Sequence, residues 1–176
     1  MLSVPMRTLA GAALLGLTVS SGAWAQDMQA GSVTGLPVPR YVSLKTDRVN
    51  LREGPSKEHR TRWVYQRAGL PVEITAEFET WRRVRDSDGA EGWVLHSLLS
   101  GKRTALVAPW AKNKSEILPM RGKAAADAPV VAELQPGVIT NVLSCAQSWC
   151  RVAVRNITGY IPQERLWGVY PNEKVD

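Results

Sequence analysis

Phenylalanine occurs once, histidine twice and cysteine twice in the 176 residues, and beyond the first 25 positions no stretch of about 20 residues is free of charge. Each scarcity excludes something. Without a long uncharged run the chain has no stable membrane-spanning helix after its start. His59 stands beside Glu58 and His96 stands alone, so neither falls in a metal-ligand spacing such as H-E-x-x-H, and no metal or other cofactor is expected. The two cysteines, Cys145 and Cys150, have four residues between them rather than two, which is not the C-x-x-C redox spacing. Glycines leading into a helix N-terminus, the mark of a phosphate cradle, are also missing.

What is present begins with an export signal. Arg7 precedes an apolar run over residues 9–19, and Ala23-Trp24-Ala25 is a small-x-small cleavage site, so residues 1–25 read as a signal peptide cut after Ala25. That places the mature protein in the periplasm or outside the cell. No cysteine lies near the cut, which argues against a lipid anchor. Residues 26–40 are rich in glycine and proline and read as a flexible leader.

The formal charge is +6 and the pI about 9.6. In an exported chain such a balance meets anionic envelope polymers rather than chromosomal DNA, so no nucleic-acid partner is expected. The basic residues form no block, and most read as a solvated face. In an oxidising compartment the two cysteines are most simply a disulfide. They flank residues 146–149, between the strand-like runs VITNVL and RVAV, where a bridge would staple the two sides of a hairpin.

An internal repeat sets the architecture. Gly69 and Trp81 recur as Gly137 and Trp149 at the same spacing, and Gly92-Trp93-Val94 recurs as Gly159-Tyr160-Ile161. Glycines follow each at Gly101 and Gly168. A repeat this long is a whole small domain. Within it the apolar period is two: Val72, Ile74, Ala76 and Phe78 alternate with Glu73, Thr75, Glu77 and Glu79, a half-buried strand whose charged face should meet water. Short strands and tight turns in so few residues bury little surface unless the sheet curls on itself. The expected fold is therefore all-β, two tandem small barrels over residues 41–104 and 105–170, with a tail over 171–176.

At this point the residues carry a resemblance. VNLREGPS, residues 49–56, resembles the N-V-R-x-G-P-S signature that opens bacterial SH3-like (SH3b) domains, and WRRVR followed by EGWVLHSLL is similar to their closing half. The second copy opens differently, with ILPMRGKAAADAP, but SWCRVAV and GYIPQERL are similar to the closing segments of SH3 domains. On this resemblance Gly54 and Pro55 turn the chain into the long first loop, Val49 and Leu51 face inward, and Arg52 and Glu53 are rim contacts.

The resemblance also implies a ligand groove in each copy. It would be formed by Trp81 with Leu95 and Leu98 in the first, and by Trp149 with Pro162 and Arg165 in the second. Each tryptophan reads either as a binding platform or as a cover for the barrel end or the joint between copies. Trp93 and Tyr160 read equally as groove or core. The aromatic run that builds a proline-helix groove is missing, so the implied ligand is a cell-wall (peptidoglycan) peptide or glycan, or an envelope protein. No thiol, metal site or paired carboxylate supports an enzyme, and the reading is a non-catalytic binding module. The alternative is a periplasmic protein-interaction adaptor or inhibitor.

Overall fold

The structure, a computed structural model, describes residues 28–176. The export signal expected over residues 1–25 lies outside the described residues. Unit one is built from β3 (Arg40–Leu44), β4 (Val49–Arg52), β5 (Thr61–Tyr65), β6 (Pro71–Phe78), β7 (Trp81–Arg85), β8 (Glu91–Leu95) and β9 (Leu99–Ser100), preceded by a small hairpin of β1 (Gln29–Ala30) and β2 (Pro37–Val38). Unit two repeats the plan with β10 (Thr104–Val107), β11 (Leu118–Arg121), β12 (Val130–Leu134), β13 (Ile139–Ala146), β14 (Trp149–Val154), β15 (Ile157–Pro162) and β16 (Leu166–Trp167). A 3₁₀ turn precedes the last strand of each, His96–Leu98 and Gln163–Arg165. Among the described residues no helix is long and apolar enough to cross a membrane.

The strand orders are the same in both sheets, β5-β4-β8-β7-β6-β3-β9 and β12-β11-β15-β14-β13-β10-β16. Even the irregularities repeat. The register shifts between Leu51 and Arg52 and between Met120 and Arg121, and again between Ile74 and Ala76 and between Val142 and Ser144. An extra residue at a bulge bends and twists its strand, which lets a short sheet wrap a core. Alternation supplies that core: Val49, Leu51, Val72, Ile74, Val84 and Val94 are buried in unit one, and Leu118, Met120, Val142, Val152 and Ile161 in unit two.

The repeated Gly92 and Gly159 have one cause. A Cβ on Gly92 would sit 2.6 Å from the Arg52 carbonyl oxygen, and one on Gly159 would sit 2.8 Å from that of Arg121. Each glycine marks the place where β4 crosses β8, or β11 crosses β15, at backbone contact distance. The disulfide forms as expected, Cys145 facing Cys150 across the β13–β14 pair with Cα atoms 4.1 Å apart. Gln147 and Ser148 between these strands both have positive φ, the two-residue turn whose twist matches a hairpin.

The charged face of β6 corrects the sequence reading. Glu73 and Glu77 do not meet water: their side chains are almost wholly covered. Glu77 is the anchor of residues 28–40, the described part of the stretch 26–40 expected to be a flexible leader. Its Oε2 accepts hydrogen bonds from the Val33 and Thr34 amides, both at 2.9 Å, and its Oε1 accepts from the Thr34 hydroxyl at 2.6 Å and from Arg40 at 2.8 Å. Burial opposes the charge, but these donors outweigh it and hold the carboxyl at about 2. Alternation identifies a face and says nothing of what covers it.

Glu73 serves the joint between units. Arg85 pairs with its Oε2, and the Tyr170 hydroxyl of unit two donates to its Oε1 at 2.9 Å. Around this pair Tyr41 packs edge-on to Trp167 at 5.3 Å and against Tyr170 at 4.6 Å. Two further bonds close the joint, Thr104 Oγ1 donating to the Gly69 carbonyl at 2.7 Å and Arg67 Nη2 to the Gly137 carbonyl at 3.0 Å. The units therefore meet through polar and aromatic contacts flanking two separate cores.

Candidate functional site

The first loop of unit one is held shut by the residue that opens it. Arg52 ends β4 and its Nη1 donates to the carbonyls of Lys57 at 3.0 Å and His59 at 2.7 Å. The Glu53 amide donates to the Arg60 carbonyl at 3.0 Å, and the Arg60 guanidinium holds the Glu53 carboxylate at 2.7 Å. That bond draws the Glu53 carboxyl below its usual range. Gly54 lies buried under the His59 ring, where a side chain would collide with the imidazole. The stretch VNLREGPS thus shapes and fastens a loop.

Beside that loop lies a groove of about 270 Å³ lined by Arg48, Asn50, Arg52, Lys57, Trp81, Leu95 and Leu98. Trp81 starts β7 after the Glu79–Thr80 turn and faces Leu95 on β8, and the 3₁₀ turn brings Leu98 to its side. The His96 amide donates to the Thr80 carbonyl at 2.8 Å and fixes that turn against the tryptophan. Four of the predicted residues, Arg52, Trp81, Leu95 and Leu98, are brought together here. Glu53 lies outside the cavity, its carboxylate occupied by Arg60. Only 6% of Trp81 is exposed, so it is mostly buried and presents little of its surface to the groove.

The second unit has a corresponding groove of about 230 Å³ that contains Trp149, Pro162 and Arg165 together with Glu116, Ile117, Pro119 and Arg121. Trp149 faces Pro162 across the β14–β15 pair. Arg165 is paired with Glu116 at 2.5 Å, so this groove carries its own countercharge. Arg121 stands where Arg52 does, just after the bulge, and donates to the Ala128 carbonyl at 3.0 Å. The clamp on the first loop is therefore repeated although the surrounding sequence is not. On the far side of Trp149 a second hollow of about 630 Å³ includes Trp110, which is 55% exposed.

Trp93 is half-buried on the outer face of its sheet, opposite Arg52 and Arg83, with Phe78 packed edge-on at 6.5 Å; it belongs neither to the core nor to the groove. Sequence reasoning did not reach Arg48, Asn50 or Lys57 in unit one, nor Glu116 and Ile117 in unit two. Asn50 points outward from β4, the other four arrive from loops, and no motif spacing records it. His59 and His96 are exposed, and among the described residues no three His, Cys, Asp or Glu side chains gather as metal ligands.

The family description for the bacterial SH3 domain matches residues 45–101 and, separately, residues 114–168. The chain belongs to the bacterial SH3 domain family. Each match of this SH3 protein falls on one seven-stranded sheet, and each includes the groove residues named above. Two solved structures from Trichomonas vaginalis are similar over part of their length. NlpC2 is 14% identical with a TM-score of 0.33, covering 73% of this chain and 48% of its own; NlpC1 is 15% identical with a TM-score of 0.33, covering 82% and 50%. The chain spans about half the length of these two structures. No curated protein sequence matches the chain.

Proposed function

We propose that this SH3 protein is a non-catalytic, exported binding module of the bacterial envelope that recognises cell-wall peptides through its SH3-like grooves. The observation that carries the reading is the unit-one groove, which Trp81, Leu95 and Leu98 line with apolar surface and Arg48, Asn50, Arg52 and Lys57 with polar groups. A shallow groove with an aromatic side chain and a few directional groups suits a short extended peptide better than a small molecule that must be enclosed. The export signal expected over residues 1–25 supports a location beside the wall polymer.

The test is a titration of the protein with soluble wall muropeptides, followed on the tryptophan indole N–H resonances. Saturable movement of the Trp81 resonance, together with a loss of muropeptide affinity measured by calorimetry in Trp81→Leu, supports the reading. Absence of any movement at Trp81 and Trp149 removes it. A second reading, an adaptor for an envelope protein, draws on the large apolar side chains left in solvent, Trp63 at 60% exposure and Trp110.

A further inference from the structure

The two grooves differ in charge, although the fold that makes them is the same. Arg48, Arg52 and Lys57 line the groove of unit one, and no carboxylate lines it. Among the described residues no ion pair joins any of these three to an acid. Asp47 and Glu58 adjoin Arg48 and Lys57 in the sequence but do not line the cavity. In unit two Arg165, which ends the 3₁₀ turn where Leu98 ends it in unit one, is paired with Glu116, and Arg121, the counterpart of Arg52, is committed to the Ala128 carbonyl. One groove therefore lacks a negative partner that the other already contains.

The three cations have different duties. Arg52 spends one nitrogen of its guanidinium fastening the loop through the Lys57 and His59 carbonyls. Arg48 and Lys57 are exposed, make no side-chain hydrogen bond or ion pair among the described residues, and line the same groove as Asn50 and Trp81. Like charges gathered beside apolar side chains repel one another until an anion enters, and the low dielectric of that apolar surface strengthens the attraction to the anion. A lone guanidinium or ammonium beside separate apolar contacts suits a carboxylate on an aliphatic chain.

We propose that unit one is the anion-selective groove of the pair: it binds the free carboxylate of a short peptide between Arg48 and Lys57 while Trp81, Leu95 and Leu98 hold the adjoining aliphatic part. Unit two, with its countercharge built in, does not require that carboxylate. This rests on the binding reading of the same groove and adds the charge of the ligand to it.

The test uses N-acetyl-alanyl-alanine, which carries a free carboxylate, and its C-terminal carboxamide, which differs only in that charge. Each is titrated into the full described chain at low and at high salt, with the assigned Trp81 and Trp149 indole resonances as readout. The expected result is that the acid moves Trp81 with an affinity at least about fivefold above the amide, that salt removes the difference, and that Arg48→Gln with Lys57→Gln abolishes it. Trp149 should respond equally to both probes or to neither. Equal response of Trp81 to acid and amide, no response to either, or a preference confined to Trp149 overturns the inference.

The muropeptide titration separates this failure from failure of the broader reading. If muropeptides bind at Trp81 while acid and amide are indistinguishable, the wall reading stands and the anion inference falls. If the acid preference appears but muropeptides do not bind, the groove is an anion site for another ligand.

Discussion

The hydroxyl of Tyr170, in the segment after the last strand of unit two, donates a 2.9 Å hydrogen bond to Oε1 of Glu73 on β6 of unit one. Glu73 is buried, and its other oxygen is held by Arg85. The acceptor is a carboxylate kept from water, so this one bond carries more than an exposed pair would. It also keeps the phenol protonated, since burial and the neighbouring Glu73 push the Tyr170 pKa well above its usual range.

Removing that hydroxyl is a direct probe of the joint. Tyr170→Phe keeps the ring contact with Tyr41 and deletes only the donor, and it should cost about 1–2 kcal/mol of stability. Arg85→Ala should cost more, about 3 kcal/mol, because it leaves a buried carboxylate with one partner instead of two. Urea unfolding followed by tryptophan fluorescence measures both. Equal and negligible losses would mean the joint contributes little.

Glu77 makes the anchoring of the amino-terminal hairpin depend on pH. Its folded carboxyl, at about 2, lies below the ordinary value of 4.5, so its contribution is fully present above pH 4.5 and is lost as pH falls towards 2. The loss should amount to about 1–2 kcal/mol, and Glu77→Gln should flatten the acid limb of the stability curve. Proteolysis of residues 28–40 should accelerate over the same window. A Glu77→Gln protein with an unchanged acid limb would assign that limb to other groups.

The disulfide belongs to unit two alone. Cys145 and Cys150 lie in that core and touch nothing in the core of unit one, while the Cys145 amide also donates to the Val175 carbonyl at 2.8 Å and holds the carboxy-terminal tail to β13. Replacing both cysteines with alanine should lower stability by about 2 kcal/mol, the value for so short a loop, and should leave unit one folded. Backbone amide exchange resolves the two units; loss of protection in β3 to β8 as well would show that the units unfold as one.

Gly92 and Gly159 should not tolerate a side chain. Gly92→Ala brings a Cβ against the Arg52 carbonyl and must push β4 from β8, which should cost more than about 2 kcal/mol and displace the loop that Arg52 holds. Gly101→Ala is the control, because nothing lies within 4 Å of a Cβ there. Similar losses at Gly92 and Gly101 would contradict the close-approach explanation.

Much of the fold is written in short-range patterns. The spacing from Gly69 to Trp81 recurs because each glycine takes the positive φ that precedes a long strand, and each tryptophan opens the strand after it. The resemblance of VNLREGPS to the domain signature names the buried face of β4 correctly through Val49 and Leu51, and Cys145 and Cys150 are close enough in sequence for their pairing to be read directly. The buried role of Glu73 and Glu77 was not legible, since their partners Tyr170 and Thr34 are 97 and 43 residues away. The match between Arg52 and Arg121 was hidden for a related reason: the clamp needs a guanidinium after a bulge and carbonyls in a loop, and almost any loop sequence supplies carbonyls. Arg48 and Lys57 reach the groove from turns that no period marks.

The most direct test of the central claim is co-sedimentation of the protein with purified, protein-free peptidoglycan sacculi, with Trp81→Leu and Trp149→Leu variants of confirmed fold alongside. Saturable pelleting that is weakened in Trp81→Leu is the predicted result. Failure to pellet, or pelleting that neither substitution changes, would contradict recognition of the wall through these grooves.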